Sequence, residues 1–253
     1  MRTLITGLIL SAVISLSLPA DDAEAIVKQA DDLMTSAKTY SESEMTVMRS
    51  GSARPTMQVK TYDMRKGDQS YSLVVYKGPA KMRGTAYLTI GNDLWVRFGS
   101  TGRIRKLSSS AKKASAGGTD FSYSDMGESG QGVAAKYRAK MGNPDARYEG
   151  TPCWEIHLTP LPNTEGVYEK LVAFIAKETY HYLRIDYFEA GAAIKSLLLE
   201  DYREIGQWSY PAKITMQSHV KPSQTELITN RIEFESLEVR DQYFTTSYLG
   251  RIK

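Results

Sequence analysis

Residues 69–98, QSYSLVVYKGPAKMRGTAYLTIGNDLWVRF, carry the pattern that decides the fold. In 69–76, Tyr71, Leu73 and Val75 fall on one phase of a period-two alternation, the repeat of a strand with one face buried. Two more strand patterns, 85–90 and 94–98, flank Gly91-Asn92-Asp93, residue types that suit a compact hairpin turn. The rhythm continues outward in both directions. Residues 44–49 and 58–64 precede it as strand candidates bounded by Gly, Pro, Asp and Ser. Residues 103–107, 147–148, 153–158, 171–176, 183–188, 194–202, 212–219 and 226–234 follow, with a short strand near the C-terminus. Turn signals recur about every ten residues, as in an all-β barrel or sandwich. No helices alternate with these strands, which argues against a parallel doubly wound sheet.

Two segments break the rhythm. Residues 22–36 read as an amphipathic helix: Asp21 or Asp22 caps it and Glu24 suits the positive end of its dipole. Ala23, Ile26, Val27, Ala30, Leu33 and Met34 form its apolar stripe. Residues 108–132, with Ser108-Ser109-Ser110, Gly117-Gly118, Gly127, Gly130 and Gly132, hold few large apolar side chains. So long an interruption in a compact β domain reads as a functional flap, the alternative being surface disorder. Phe121, Tyr123 and Met126 are placed to anchor a short helix inside it.

Residues 1–20 read as a secretory signal peptide. Arg2 is its positive end, residues 4–18 its apolar run, and Leu18-Pro19-Ala20 sets cleavage near Ala20. The run falls short of the roughly 20 apolar residues of a bilayer-spanning helix, although an uncleaved anchor is the alternative. The single cysteine, Cys153, excludes an intrachain disulfide and a cysteine-built zinc cluster. An exported chain of 253 residues without disulfides has to be held by one substantial core, which suits the periplasm. Hydrophobic residues make up 42% and charged residues 24%, so the chain is foldable rather than disordered. Lys plus Arg number 32 against 29 Asp plus Glu, a net charge of +3 that offers no basic face for nucleic acid.

Catalytic signatures are missing. Gly127-Glu128-Ser129-Gly130-Gln131-Gly132 lacks the Lys-Ser/Thr of a P-loop, and no G-x-S-x-G elbow occurs. His157, His181 and His219 lie on separate strands without metal-ligand spacing. Asp120 and Asp125 are the one candidate carboxylate pair for a hydrolase, and solvated loop residues are the plainer reading of both. Enzyme chemistry and a cofactor are therefore not expected.

The order of several short motifs is familiar. It begins with the helix Ala23 to Met34 and continues through Lys77-Gly78-Pro79-Ala80-Lys81-Met82-Arg83-Gly84-Thr85-Ala86-Tyr87-Leu88 and Gly91-Asn92-Asp93-Leu94-Trp95. Residues 103–107 and Gly118-Thr119-Asp120-Phe121-Ser122 follow. Gly150-Thr151-Pro152-Cys153-Trp154-Glu155-Ile156-His157-Leu158-Thr159-Pro160, then Tyr210-Pro211 and residues 244–249, complete it. In these the chain resembles the LolA/LolB-like superfamily of periplasmic lipoprotein carriers, and more closely its branch of outer membrane lipoprotein-sorting proteins. The resemblance implies a mainly β (α+β) fold: one half-open antiparallel barrel wrapped around helices, over residues 21–253, with an apolar cavity for acyl chains. It also exposes a departure. The carriers latch their lid with an arginine before a proline, where this chain has Gly78 before Pro79. A guanidinium fork has no substitute in glycine, so the latch is absent or is taken over by a residue such as Arg83 or Arg97.

The expected function is a periplasmic carrier binding lipid or lipoprotein acyl chains, for transfer toward the outer membrane or to or from a membrane exporter. The partners would be lipid or an acylated lipoprotein and an inner-membrane transporter, with no nucleic acid. A protein-binding sensor of the same fold is the alternative. The expected cavity wall is Leu73, Val75, Leu88, Ile90, Leu94, Val96, Trp154, Ile156, Leu158, Ile185 and Met216. Ile26, Leu33, Phe121 and Met126 would form the lid. A one-residue slip in phase would turn any of these strand residues to the other face.

Overall fold

The computed structural model describes residues 22–127, 132–162, 164 and 168–253, so the expected leader at 1–20 lies outside the described residues. Among these, fourteen strands form one antiparallel sheet. The first half of the chain contributes β1 (Lys38–Arg49), β2 (Ser52–Ala53), β3 (Met57–Lys66), β4 (Gln69–Gly78), β5 (Ala86–Ile90), β6 (Asp93–Arg97) and β7 (Ile104–Lys106). The second contributes β8 (Tyr137–Tyr148), β9 (Thr151–Pro160), β10 (Lys170–Ala176), β11 (Tyr182–Glu189), β12 (Ala192–Ile205), β13 (Trp208–Ser218) and β14 (Ser223–Phe234). Their order is β7-β6-β5-β4-β3-β1-β14-β13-β12-β11-β10-β9-β8, with the short β2 pairing to β1.

The sheet is thus two meanders joined at one seam, where β1 pairs with β14 and places Met45 opposite Leu227. It does not close into a barrel: β7 and β8 are its two edges. The described residues between those edge strands, 107–127 and 132–136, pack on the inner face of the open sheet. Hairpin chemistry holds the meanders in register. Between β5 and β6, Ile90 pairs with Asp93 around Gly91-Asn92, and Gly91 sits at φ 56°, a conformation glycine adopts without steric cost.

The expected helix is α1 (Ala23–Met34), and the Asp22 carboxylate caps it by accepting from the Glu24 N–H at 3.0 Å. Its stripe packs on the inner face of the second meander, where Ile26, Val27 and Ala30 meet Trp154, Ile156, Leu158 and Tyr182. Trp208 holds the helix's other end, its indole N–H donating to the Thr35 carbonyl at 3.0 Å. Three short helices complete the list: α2 (Ser109–Lys112), α3 (Tyr123–Gly127) and α4 (Thr246–Leu249).

Four of the expected wall residues face the wrong way for a cavity. Leu73, Val75, Leu88 and Ile90 lie on the outer face, beneath Val239, Phe244 and Leu249 of the C-terminal segment. Their strand neighbours Val74, Tyr76 and Tyr87 take the inner face. The cause is visible in Leu73-Val74-Val75-Tyr76: a strand buried on both sides is apolar without a break, and alternation then cannot tell one face from the other. The C-terminal stretch expected as a strand is instead a 3-10 turn, Asp241–Tyr243, followed by α4.

A lidded cavity on the inner face

The described residues of the segment expected as a flap, 108–127 and 132, lie over the inner face as a lid. Ser108 caps α2, and an isolated bridge pairs Ser115 with Ser122 ahead of α3. Residues 128–131 lie outside the described residues, and a 3-10 turn, Val133–Ala135, then leads into β8. Phe121 and Met126 point into the sheet and pack with Tyr76, Tyr87, Leu94, Val96 and Met216.

Charged side chains fasten this lid. The Asp120 carboxylate accepts from the Ser223 and Thr225 hydroxyls, each at 2.8 Å, and its other oxygen lies 3.1 Å from the Lys221 ammonium. The Asp125 carboxylate accepts from the Ser122 N–H at 2.6 Å and the Tyr168 hydroxyl at 2.8 Å, and it pairs with Lys195. Lys195 also lies over the rings of Tyr168 and Tyr187, 4.9 and 5.0 Å from their centroids. Burial and the neighbouring Asp125 charge push the Tyr168 phenol far above its ordinary value, so it is a permanent donor. Arg49 donates to the Gly118 carbonyl at 3.2 Å. Asp120 and Asp125, read from sequence as solvated, are therefore buried tethers.

Beneath the lid is a cavity of about 210 Å³. Phe121 and Asp125 roof it, Asp31 and Met34 of α1 close one side, and Leu171, Ile185, Leu197, Leu199 and Met216 supply the apolar floor. Tyr182 and Tyr187 stand at its walls.

A family model whose description reads "Uncharacterized protein" matches residues 68–251. A DUF1329 family protein from Desulfovibrio piger superposes with a TM-score of 0.81 at 25% identity, over 90% of this chain and 97% of its own. A candidate outer membrane lipoprotein-sorting protein domain from Vibrio parahaemolyticus gives 0.80 at 20% identity, over 90% and 98%. A LolA superfamily protein from Nitrosomonas europaea gives 0.76 at 19% identity, over 90% and 100%. No curated protein matches. The chain belongs to the matched family, and its fold is that of the LolA superfamily.

Within this LolA-like fold the expected site residues separate into groups. Ile185, Met216 and Phe121 line the cavity. Leu94 and Val96 pack under the lid with Met126, while Trp154, Ile156 and Leu158 pack under α1 with Ile26. Leu33 is half-buried near the end of α1. Leu171, Leu197 and Leu199 were missed as floor residues, although Leu197 and Leu199 share one phase of a recognised strand. Of the two alternatives for the latch at Gly78, absence or takeover, neither Arg83 nor Arg97 supplies the takeover. Arg83 donates to the Lys77 carbonyl and Arg97 to the Gly84 carbonyl, so each braces its own loop. Lid fastening in this LolA-like chain is shared by Asp120, Asp125, Arg49, Asp31 and Lys113, the last pairing with Glu189 at 2.8 Å.

Asp31 has a distinct electrostatic signature. Its carboxylate accepts from the Tyr182 hydroxyl at 2.9 Å and from the Ala134 N–H at 2.7 Å, which ties the far end of the lid to α1. Burial outweighs both bonds and raises its pKa from 3.8 to about 6. A raised folded-state pKa stabilises the protein fully below pH 3.8, and that contribution disappears as pH rises through about 6. Asp31→Asn is therefore expected to match wild type near pH 4 and to exceed it by up to about 3 kcal/mol at pH 7. Urea unfolding of both proteins across that range checks this, and a constant difference between the two curves would refute it.

Proposed function

We propose that the protein is a periplasmic carrier that holds lipid, or the acyl chains of a lipoprotein, beneath its lid and releases them toward the outer membrane or a membrane exporter. The observation that carries this reading is an apolar cavity roofed by a segment whose attachments are polar. Each methylene taken from water into such a space gains about 0.8 kcal/mol. A cavity of about 210 Å³ is smaller than the roughly 300–1,000 Å³ of a pocket that takes a drug-sized ligand, so it holds only the first part of a long chain. Complete uptake therefore requires the lid to lift, exchanging a few hydrogen bonds and ion pairs for water without breaking the sheet. The apolar leader at 1–20 supports export, and no helix among the described residues is long and apolar enough to cross a membrane.

The direct experiment is to purify the mature chain without detergent and examine it by native mass spectrometry and lipid extraction. A stoichiometric lipid or acylated peptide is expected. A protein free of lipid that also takes up no fluorescent fatty-acid probe would overturn the carrier and favour a protein-binding module. Leu197 is half-buried on the cavity floor and is the substitution to make. Leu197→Glu is expected to abolish probe uptake in a folded protein, because burying a chain against a carboxylate costs several kcal/mol. Undiminished uptake in that variant would place the ligand elsewhere.

A further inference from the structure

The net charge of +3 conceals an uneven distribution. Segments 50–56, 77–85, 97–104 and 219–223 meet at one end of the first meander and its seam. Strand register brings them there: Arg49 pairs with Ser223, Gln58 with Gly78, and Arg97 with both Ala86 and Ile104. The Ser50 N–H also donates to the Pro222 carbonyl at 3.0 Å. None of these segments contains an aspartate or a glutamate. They carry Arg54, Lys77, Lys81, Arg83 and Arg103, all exposed, and none of the five is ion-paired among the described residues. Cations at the opposite end of the same meander are paired, Lys66 with Asp241 and Lys106 with Asp93, each at 2.7 Å. The basic end also holds an apolar tip and a corner of the lid. Val220 is 75% exposed beside Lys221, which is engaged with Asp120. The Gly117-Gly118 corner lies against Arg49, which donates to the Gly118 carbonyl, and against Met82, whose methyl would sit 2.9 Å from a Cβ at Gly117.

We propose that this end docks the protein on an anionic lipid surface and seats the Gly117-Gly118 corner of the lid against the headgroups. Cations spread over separate turns suit a fluid layer of anions, whose headgroups rearrange to meet them, better than the fixed surface of a folded acidic protein. Val220 adds an apolar side chain that can enter the boundary between headgroups and acyl chains. Because the charges at the opposite end are neutralised in pairs, the field of the molecule turns this end toward the surface. Docking of this kind needs no ligand in the cavity, so it stands or falls separately from the carrier reading.

Cosedimentation of the mature chain with vesicles tests this, comparing phosphatidylcholine alone with an equal mixture of phosphatidylcholine and phosphatidylglycerol. Binding is expected to the mixed vesicles only, and added salt should release it. Lys81→Gln with Arg103→Gln is expected to weaken binding about thirtyfold, roughly fivefold for each cation. Lys66→Gln with Lys106→Gln removes the same charge from the opposite end and should leave binding unchanged. Equal weakening by the two pairs would reduce the effect to net charge and overturn docking through this end. Equal binding to neutral and anionic vesicles would overturn it too. Binding to neither would do the same and turn this end toward an acidic protein.

Discussion

Lys195→Met is expected to cost about 3–5 kcal/mol of stability, because it strands a buried charge. The Lys195 and Asp125 side chains are only 9% and 7% exposed, so solvent screens their pairing little. Without the ammonium, the Asp125 carboxylate keeps the Tyr168 hydroxyl and the Ser122 N–H as donors but has no countercharge. For a domain of this size the melting temperature should fall by roughly 6–20 °C. Removing both charges, as Lys195→Met with Asp125→Leu, should recover most of the loss, since well-packed apolar replacements of buried pairs are commonly neutral or better. Thermal and urea denaturation of the two variants gives the comparison. A single-variant loss below about 1 kcal/mol would mean that water reaches the pair, and hence that the lid stands open in solution. The double variant has a functional consequence as well: its lid lacks one polar tether and should admit a fluorescent fatty-acid probe faster.

Deleting residues 239–253 is expected to be the most damaging change. Val239, Phe244 and Leu249 are at most 4% exposed and cover Tyr40, Leu73 and Leu88 on the outer face. Three fully buried side chains of this kind contribute about 5–9 kcal/mol at 1.5–3 kcal/mol each, against a total stability of about 5–15 kcal/mol for an ordinary domain. The truncated chain should aggregate or elute as an expanded species that binds a hydrophobic dye. A cooperative melt at the wild-type temperature would show that the C-terminal segment is dispensable. Burial under the C-terminal segment for Leu88, and under α1 for Ile156, explains why Leu88→Glu or Ile156→Glu would be a poor test of ligand binding. Both side chains are fully buried in packing that holds the sheet together, and a carboxylate at either would unfold the protein before it reported on a cavity.

The strand rhythm and the opening helix were legible in the sequence, since each depends on local periodicity. Face assignment was legible only where one face is polar. Trp154, Ile156 and Leu158 alternate with half-buried or exposed Glu155, His157 and Thr159 and turn inward as expected, whereas the unbroken run Leu73 to Tyr76 concealed its phase. Most of β8 was missed because Arg138 to Asp145 is an edge segment, largely polar and interrupted by bulges near Gly142 and Pro144. Edge strands carry charge and irregularity that blunt pairing, and so lose the apolar alternation that would reveal them. The lid tethers were illegible for another reason. An aspartate in a Gly- and Ser-rich stretch looks solvated until tertiary structure brings Lys195, Lys221 and Thr225 to it from strands and turns 70 to 105 positions away.

The pairing of β1 with β14 governs how the chain can be made. Ser43 and Thr229 face each other across that seam at a separation of 186 residues, while β1 meets its other partner, β3, within one turn of chain. During synthesis β3 to β7 can assemble on one side of β1 as soon as they emerge, and β8 to β13 can assemble among themselves. The second edge of β1, with Met45 and Val47, stays unpaired until β14 is made, with only the residues after Phe234 still to come. Unpaired edges of this kind recruit other chains. The nascent protein therefore spends nearly its whole synthesis as two half-sheets that only the penultimate segment can join, and a chain ended early before β14 is expected to aggregate.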